Sequence, residues 1–198
     1  MMTTFYLIRH GLNDFIGKSI VGWSPGVNLN AEGRNQAERL AVKLAGRGIT
    51  RLFSSPLERA RQTAEPLAKA LGLPVEIREA LGEVKFGEWE GKSFAELDED
   101  PRWKLFNTYR SGTRAPGGEL AVESQARIVR ELECLAAQHP GETIAVFSHA
   151  DIIRAALVYY LGVPIDLYQR ITCKPASFSV LKLNEWGPAV ESLNELAE

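Results

Sequence analysis

The sequence predicts an α/β fold of three layers, a mostly parallel central sheet with helices on both faces. Three observations carry this expectation. Short runs rich in β-branched and aromatic residues alternate with longer runs of helical period, the pattern that builds parallel sheets. No repeat, low-complexity tract or Gly/Ser/Pro linker divides the 198 residues, so a single domain over 1–198 is expected. Near the end, two strand-like runs flank a turn and read as a hairpin at one sheet edge.

In order, "FYLIR" (5–9) is the first strand. A helix follows in 31–47, where Ala37, Leu40, Ala41 and Leu44 fall at i, i+3, i+4 and i+7. "TRLFS" (50–54) is the second strand. "SSPLER" then offers Ser55 as N-cap, Pro56 at the first helical position and Glu58 closing a capping box, with Arg59 in the first turn. "VEI" (75–77) is a short strand. The segment 84–118, with Pro101, Pro116 and several glycines, is irregular and is expected to form a short helical excursion over the sheet, a lid. A helix near 120–138 carries Ile128, Leu132 and Leu135 on one stripe. "TIAVFS" (143–148) is a strand, and "FSHADI" offers Ser148 as N-cap and Asp151 in the box position of a helix over 151–161. "SFSVLKL" (177–183), the turn Asn184-Glu185-Trp186-Gly187 and "GPAVESL" complete the hairpin.

The composition, 45% hydrophobic and 24% charged, is that of a globular chain, and the net charge of −2 gives no general attraction to nucleic acid or to an anionic membrane. Cys134 and Cys173 form no CxxC pair and read as free thiols of a reducing compartment. No basic-then-apolar leader and no bilayer-length apolar stretch occurs, so a cytoplasmic location is expected.

Chemistry is concentrated where strands end. Arg9-His10-Gly11 follows the first strand, Arg59 the second, and His149 the fourth; open α/β sheets place ligands at such carboxyl ends. Helix N-termini there add unpaired N–H groups and a positive dipole end. Taken singly, Arg59 reads as a solvated helix cation, His149 as a core or capping histidine, and Glu83 as one of several solvated carboxylates. Together, if the strands are neighbours, two arginines and two histidines form an anion pocket with a nucleophile in it. His139, before Pro140 at a helix end, reads as structural.

The ordered blocks "LIRHG", "LNAEGRNQA", "SSPLERARQTA", "LGEVKFGEWEG" and "VFSHA", spanning about 5–150, resemble the histidine phosphatase superfamily, which contains the phosphoglycerate mutases and many small phosphatases. The resemblance implies a phosphoglycerate mutase-like fold. It implies His10 as the nucleophile that becomes a phosphohistidine, and Arg9 and Arg59 as holders of the phosphoryl oxygens. His149 would bond the transferred group, and Glu83 would protonate the leaving oxygen, with Glu88 and Glu90 as neighbouring rivals. Ala150 and Trp23, the latter in the loop "SIVGWSPGVNLN", count as further substrate contacts. In one place the chain departs from the family: Leu12 stands where Glu is usual and Ile16 where a phosphate-contacting Asn is usual, leaving Asn13 to supply that amide in a different register.

The physical reading agrees. A neutral imidazole accepts a phosphoryl group near pH 7, provided its other nitrogen is held, here by a nearby backbone carbonyl. Two guanidinium forks can stabilise an in-line transfer without a metal or other cofactor, and the sequence has neither metal-ligand spacing nor a Walker A loop. The expected function is a metal-independent phosphatase acting on a small phosphorylated metabolite, with neither nucleic acid nor membrane as partner and a homodimer left open. A mutase takes longer lid and carboxyl-terminal segments than this excursion and an ending at Glu198, so the mutase-like phosphotransferase is the runner-up. α-Ribazole phosphatase is one possible hydrolase. A phosphate-binding regulatory module without turnover would have no use for the acid.

Overall fold

Alternation along β1 (Thr3–Arg9) decides the layering. In the computed structural model, which describes residues 1–197, Phe5 and Leu7 enter one core cluster and Tyr6 and Ile8 the other. β4 (Thr143–Ser148) divides likewise, Ile144 and Val146 against Ala145 and Phe147. A strand with both faces apolar must be covered twice. One face receives α1 (Ala31–Leu44) and α2 (Glu58–Leu71) through Leu40, Leu44, Ala60, Ala64 and Leu67. The other receives α5 (Ala121–Gln138) and α6 (Ala150–Tyr160) through Ile128, Leu132, Leu135, Ile153 and Leu157.

The sheet has six strands in the order β3-β2-β4-β1-β5-β6, with β2 at Arg51–Ser54, β3 at Val75–Ile77, β5 at Phe178–Asn184 and β6 at Gly187–Glu195. β3, β2, β4 and β1 pair parallel; β5 runs antiparallel to β1 and β6 to β5, which makes the expected edge hairpin. The register that pairs Arg9 with Ser148, and Ser54 with Phe147, brings the carboxyl ends of β1, β4 and β2 level at one rim. The three strand-end motifs therefore meet.

Both expected helix caps differ. Ser55 does not cap α2: Leu57 is the N-cap residue, and Glu58, instead of closing a box, accepts the Gly26 N–H at 3.0 Å. Ser148 is the last residue of β4, its hydroxyl donating to the Leu81 carbonyl at 2.7 Å; His149 is the N-cap residue and Asp151 pairs with Arg154 at 3.2 Å. At both places the serine is buried at the strand's end and spent on a tertiary bond, so the local capping pattern loses to the site.

The excursion is a packed layer. α3 (Phe94–Asp98) and α4 (Pro101–Thr108) stand on a core of Phe86, Trp89, Trp103 and Phe106, with Trp89 edge-on to Trp103 at 5.3 Å and to Phe106 at 5.1 Å. Backbone bonds from Ile20 N to Lys92 O (3.0 Å) and Gly91 N to Ile20 O (2.7 Å) fasten it to the loop after β1. No helix among the described residues is long and apolar enough to cross a membrane.

Candidate active site

A cavity of about 290 Å³ opens over the level strand ends, and Arg9, His10, Asn13, Arg59, Glu83 and Ala150 line it. The loop that bears His10 is pressed hard onto the start of α1. A Cβ on Gly11 would lie 2.7 Å from the Gly33 carbonyl oxygen, and one on Gly33 would lie 2.0 Å from that of Leu12, so only glycine fits either place. Thr63 of α2 accepts the Gly11 N–H at 3.0 Å and donates to the Arg59 carbonyl at 2.7 Å, which couples the two motifs directly.

His10 is buried, and its Nδ1 lies 2.8 Å from the Gly11 carbonyl oxygen. A carbonyl only accepts, so Nδ1 carries the proton and Nε2 keeps its lone pair. Burial, then the charges of Arg59 and Arg9, hold the imidazole well below its ordinary pKa. It is neutral at pH 7, as a nucleophile must be.

His149 is fully buried with its ring 5.2 Å from that of His10, and it is absent from the cavity wall. Its Nε2 meets the Ser55 hydroxyl at 2.8 Å. That hydroxyl, which also accepts the Leu57 N–H at 3.2 Å, has one proton to give; given to Nε2, it leaves the histidine proton on Nδ1. Nδ1 is buried without a protein partner, a donor beside His10. Burial, foremost, also keeps this ring neutral.

Arg59 is 1% exposed; its Nη2 donates to the Gly22 carbonyl at 2.8 Å, while Nε and Nη1 are buried and unpartnered. Arg9 donates through Nη1 to the Cys173 carbonyl at 2.6 Å and likewise keeps Nε free. Each guanidinium is fixed by one bond with the rest of its fork uncommitted. Burial lowers both without discharging them, because arginine stays protonated in proteins.

Glu83 is the acid among the three candidates that reaches the cavity. Burial, and after it the Asp151 carboxylate, raise its pKa to about 7, against the Val84 N–H and the two arginines. Glu88 is 63% exposed and faces Arg102 at 3.7 Å. Glu90 is a brace: its oxygens accept the Trp23 and Phe86 N–H groups, each at 3.1 Å. Trp23, expected among the substrate contacts, braces the acid's backbone. It is absent from the cavity wall; its ring lies against Gly82, where a Cβ would come within 2.2 Å, and its Nε1 donates to the Glu83 carbonyl at 2.6 Å. Asn13 holds the local turn by accepting the Phe15 and Ile16 N–H groups, while its buried Nδ2 has no partner and is free to donate. Ile16 lines the cavity with an apolar side chain.

Sequence reasoning missed Ser55 as the partner of His149, Thr63, and above all Arg127. Arg127 donates to the carbonyls of Ala80 (2.8 Å), Gly82 (2.9 Å) and Glu83 (3.2 Å) and to Glu119 (3.0 Å), pinning the acid's backbone from outside the cavity. No signal marks it; it is one of many helix arginines. Arg127→Met is expected to lower kcat for an alkyl phosphate roughly tenfold at little change in KM, with Arg127→Lys in between, as steady-state kinetics would read. Among the described residues no group of three or more His, Cys, Asp and Glu is arranged to hold a metal ion.

The profile described as "Histidine phosphatase superfamily (branch 1)" matches residues 5–196. A bifunctional protein of Mycobacterium tuberculosis is 33% identical over 180 residues, 90% of this chain and 50% of that protein; the chain thus spans about half the length of the first curated relatives it matches. Among solved structures, a phosphoserine phosphatase of Entamoeba histolytica, a mutant form in complex with phosphoserine, superposes with a TM-score of 0.88 at 27% identity, covering 98% of this chain and 97% of its own. An Escherichia coli protein named as a candidate α-ribazole-5′-phosphate phosphatase gives 0.88 at 25% identity, over 98% and 96%.

Proposed function

The chain belongs to the histidine phosphatase superfamily, and from that premise we propose that it is a phosphatase of small phosphomonoesters working through a phosphohistidine. The observation that carries the reading is a carboxyl poised near 7, Glu83, in the same cavity as a neutral, lone-pair-bearing His10. A binding module needs the arginines and has no use for the pair.

In the first step His10 Nε2 attacks phosphorus and the ester P–O bond breaks. The departing alkoxide takes the Glu83 proton, and the positive charge that bond formation puts on the imidazole is shared with the Gly11 carbonyl through Nδ1–H. Arg9 and Arg59, with Asn13 Nδ2 and His149 Nδ1–H, offer donors to the phosphoryl oxygens. In the second step the Glu83 carboxylate takes a proton from water as it attacks phosphorus. The N–P bond breaks, inorganic phosphate leaves, and His10 is neutral again.

Purified protein should release nitrophenol from its phosphate ester, undiminished by a strong chelator, and vanadate should inhibit. Activity lost on chelation and restored by a divalent cation would overturn the assignment of charge stabilisation to the arginines. The mutase-like alternative is read in the same series: 3-phosphoglycerate with a trace of 2,3-bisphosphoglycerate should yield no 2-phosphoglycerate.

A further inference from the structure

We propose that the lid side of the cavity is a carboxylate subsite built on Arg110, so that the substrates are small phosphomonoesters of hydroxy or amino acids; this rests on the phosphatase reading above. Arg110 follows α4 and is only 3% exposed, yet it lines the cavity. Its guanidinium carbon lies over the ring of Phe106, at 4.5 Å, and over that of Tyr168, at 4.4 Å. The planar guanidinium donates only through the in-plane edges of its fork, and the two aromatic contacts leave those edges as its means of binding a ligand. One edge is held by Asn107 through Nη2, and Nε is buried without a partner.

Burying a cation with donors unspent is costly unless an anion completes it. No carboxylate is paired with Arg110 among the described residues; Asp151, the nearby acidic wall residue, is bound to Arg154 at 3.2 Å, and Arg154 is further committed to the Ile171 carbonyl at 2.9 Å. The surroundings hold Arg110 in place. Ser111 bonds Asp166 through N (2.8 Å) and Oγ (2.7 Å), and Gln169 donates to Asn107 at 3.1 Å, so the lid and the 165–170 turn form one rigid wall. Such fixation is what a specificity contact needs and a solvated arginine does not.

The charge balance selects the ligand. Arg9, Arg59, Arg110 and Arg154 face the cavity with Glu83 and Asp151. With Glu83 protonated for its task, three positive charges are left uncancelled by the wall; a phosphoryl dianion takes two, and one remains. That fits a single carboxylate and leaves a second phosphoryl dianion short of countercharge. A cavity of about 290 Å³ suits a substrate of a few carbons beyond the phosphate.

The test compares esters matched in their leaving alcohol and differing in the acid: 3-phosphoglycerate against glycerol 3-phosphate, and phosphoserine against ethanolamine phosphate. The wild type should prefer the carboxylated member of at least one pair by roughly ten- to hundred-fold in kcat/KM, the usual worth of a charged hydrogen bond. The pair that shows the preference tells a hydroxy acid from an amino acid. In Arg110→Met that ratio should fall toward one, and in Arg110→Lys it should be intermediate. Equal rates within both wild-type pairs overturn the proposal whether or not any variant folds, and so does a preference that survives Arg110→Met. If the wild type releases phosphate from none of the four esters and none from nitrophenyl phosphate, the phosphatase reading itself has failed.

Discussion

His10→Ala should lower turnover by on the order of 10⁵-fold or more, the usual cost of removing a covalent nucleophile, and should abolish labelling of the protein by a phosphate ester. In the wild type, brief incubation with a labelled substrate and rapid denaturation should trap a phosphoenzyme that survives alkali and is lost in acid, as an N–P bond is. The geometry makes the choice of histidine sharp. Both rings are neutral and buried, so protonation state alone does not separate them. His10 lines the cavity and directs its hydrogen-free Nε2 away from the Gly11 bond, whereas the Nε2 of His149 is occupied by Ser55. His149→Ala should therefore slow the reaction yet leave a trappable phosphoenzyme. Label retained in His10→Ala and lost in His149→Ala would reverse the assignment.

The layers were legible because their signals are local and repeated. The β-branched and aromatic runs at 5–9 and 143–148 and the i, i+3, i+4 stripe of 31–47 each carry the apolar side chains that the two core clusters bury. Strand order is a tertiary fact, yet the level ends of β1, β4 and β2 could be anticipated, since Arg9, Arg59 and His149 have a joint purpose only if those ends meet. The helix caps were misread for the same reason. Ser55 and Ser148 have the right residue type at the right spacing, and only the folded chain shows that His149 and the Leu81 carbonyl claim them first.

What escaped the sequence lies at long separation. Arg127 is 44 residues from the Glu83 carbonyl it holds, and Trp23 is 60 residues from the same atom. A tryptophan in a Gly/Pro-rich loop cannot declare whether it faces a cavity or braces a neighbour. Asn13 is an intermediate case: the displaced amide was visible, and the structure adds that its oxygen is spent on the turn and its nitrogen is not.

Glu83→Gln should divide substrates by leaving group. An alkoxide is strongly basic and needs a proton as the P–O bond breaks, whereas nitrophenolate departs almost unaided. Removing a general acid typically costs about 10²- to 10⁴-fold where protonation matters, so hydrolysis of an alkyl phosphate should fall by that factor and release of nitrophenol far less. Glutamine keeps an oxygen to accept the Val84 N–H, now at 2.9 Å, so the loop is retained while the proton is lost. The pH dependence follows with a definite sign. The acid must start protonated, and its pKa lies at about 7, so the alkyl-phosphate rate should decline as pH rises through 7. His10 must be neutral, and its pKa is held well below 6.5, so the acidic decline should come well below that value. In Glu83→Gln the alkaline decline should vanish. Glu88→Gln, at an exposed ion pair, and Glu90→Gln, at a brace for two backbone N–H groups, should show no dependence on the leaving group. A leaving-group-dependent loss at Glu90 or Glu88, with Glu83→Gln unaffected, would move the acid to that residue.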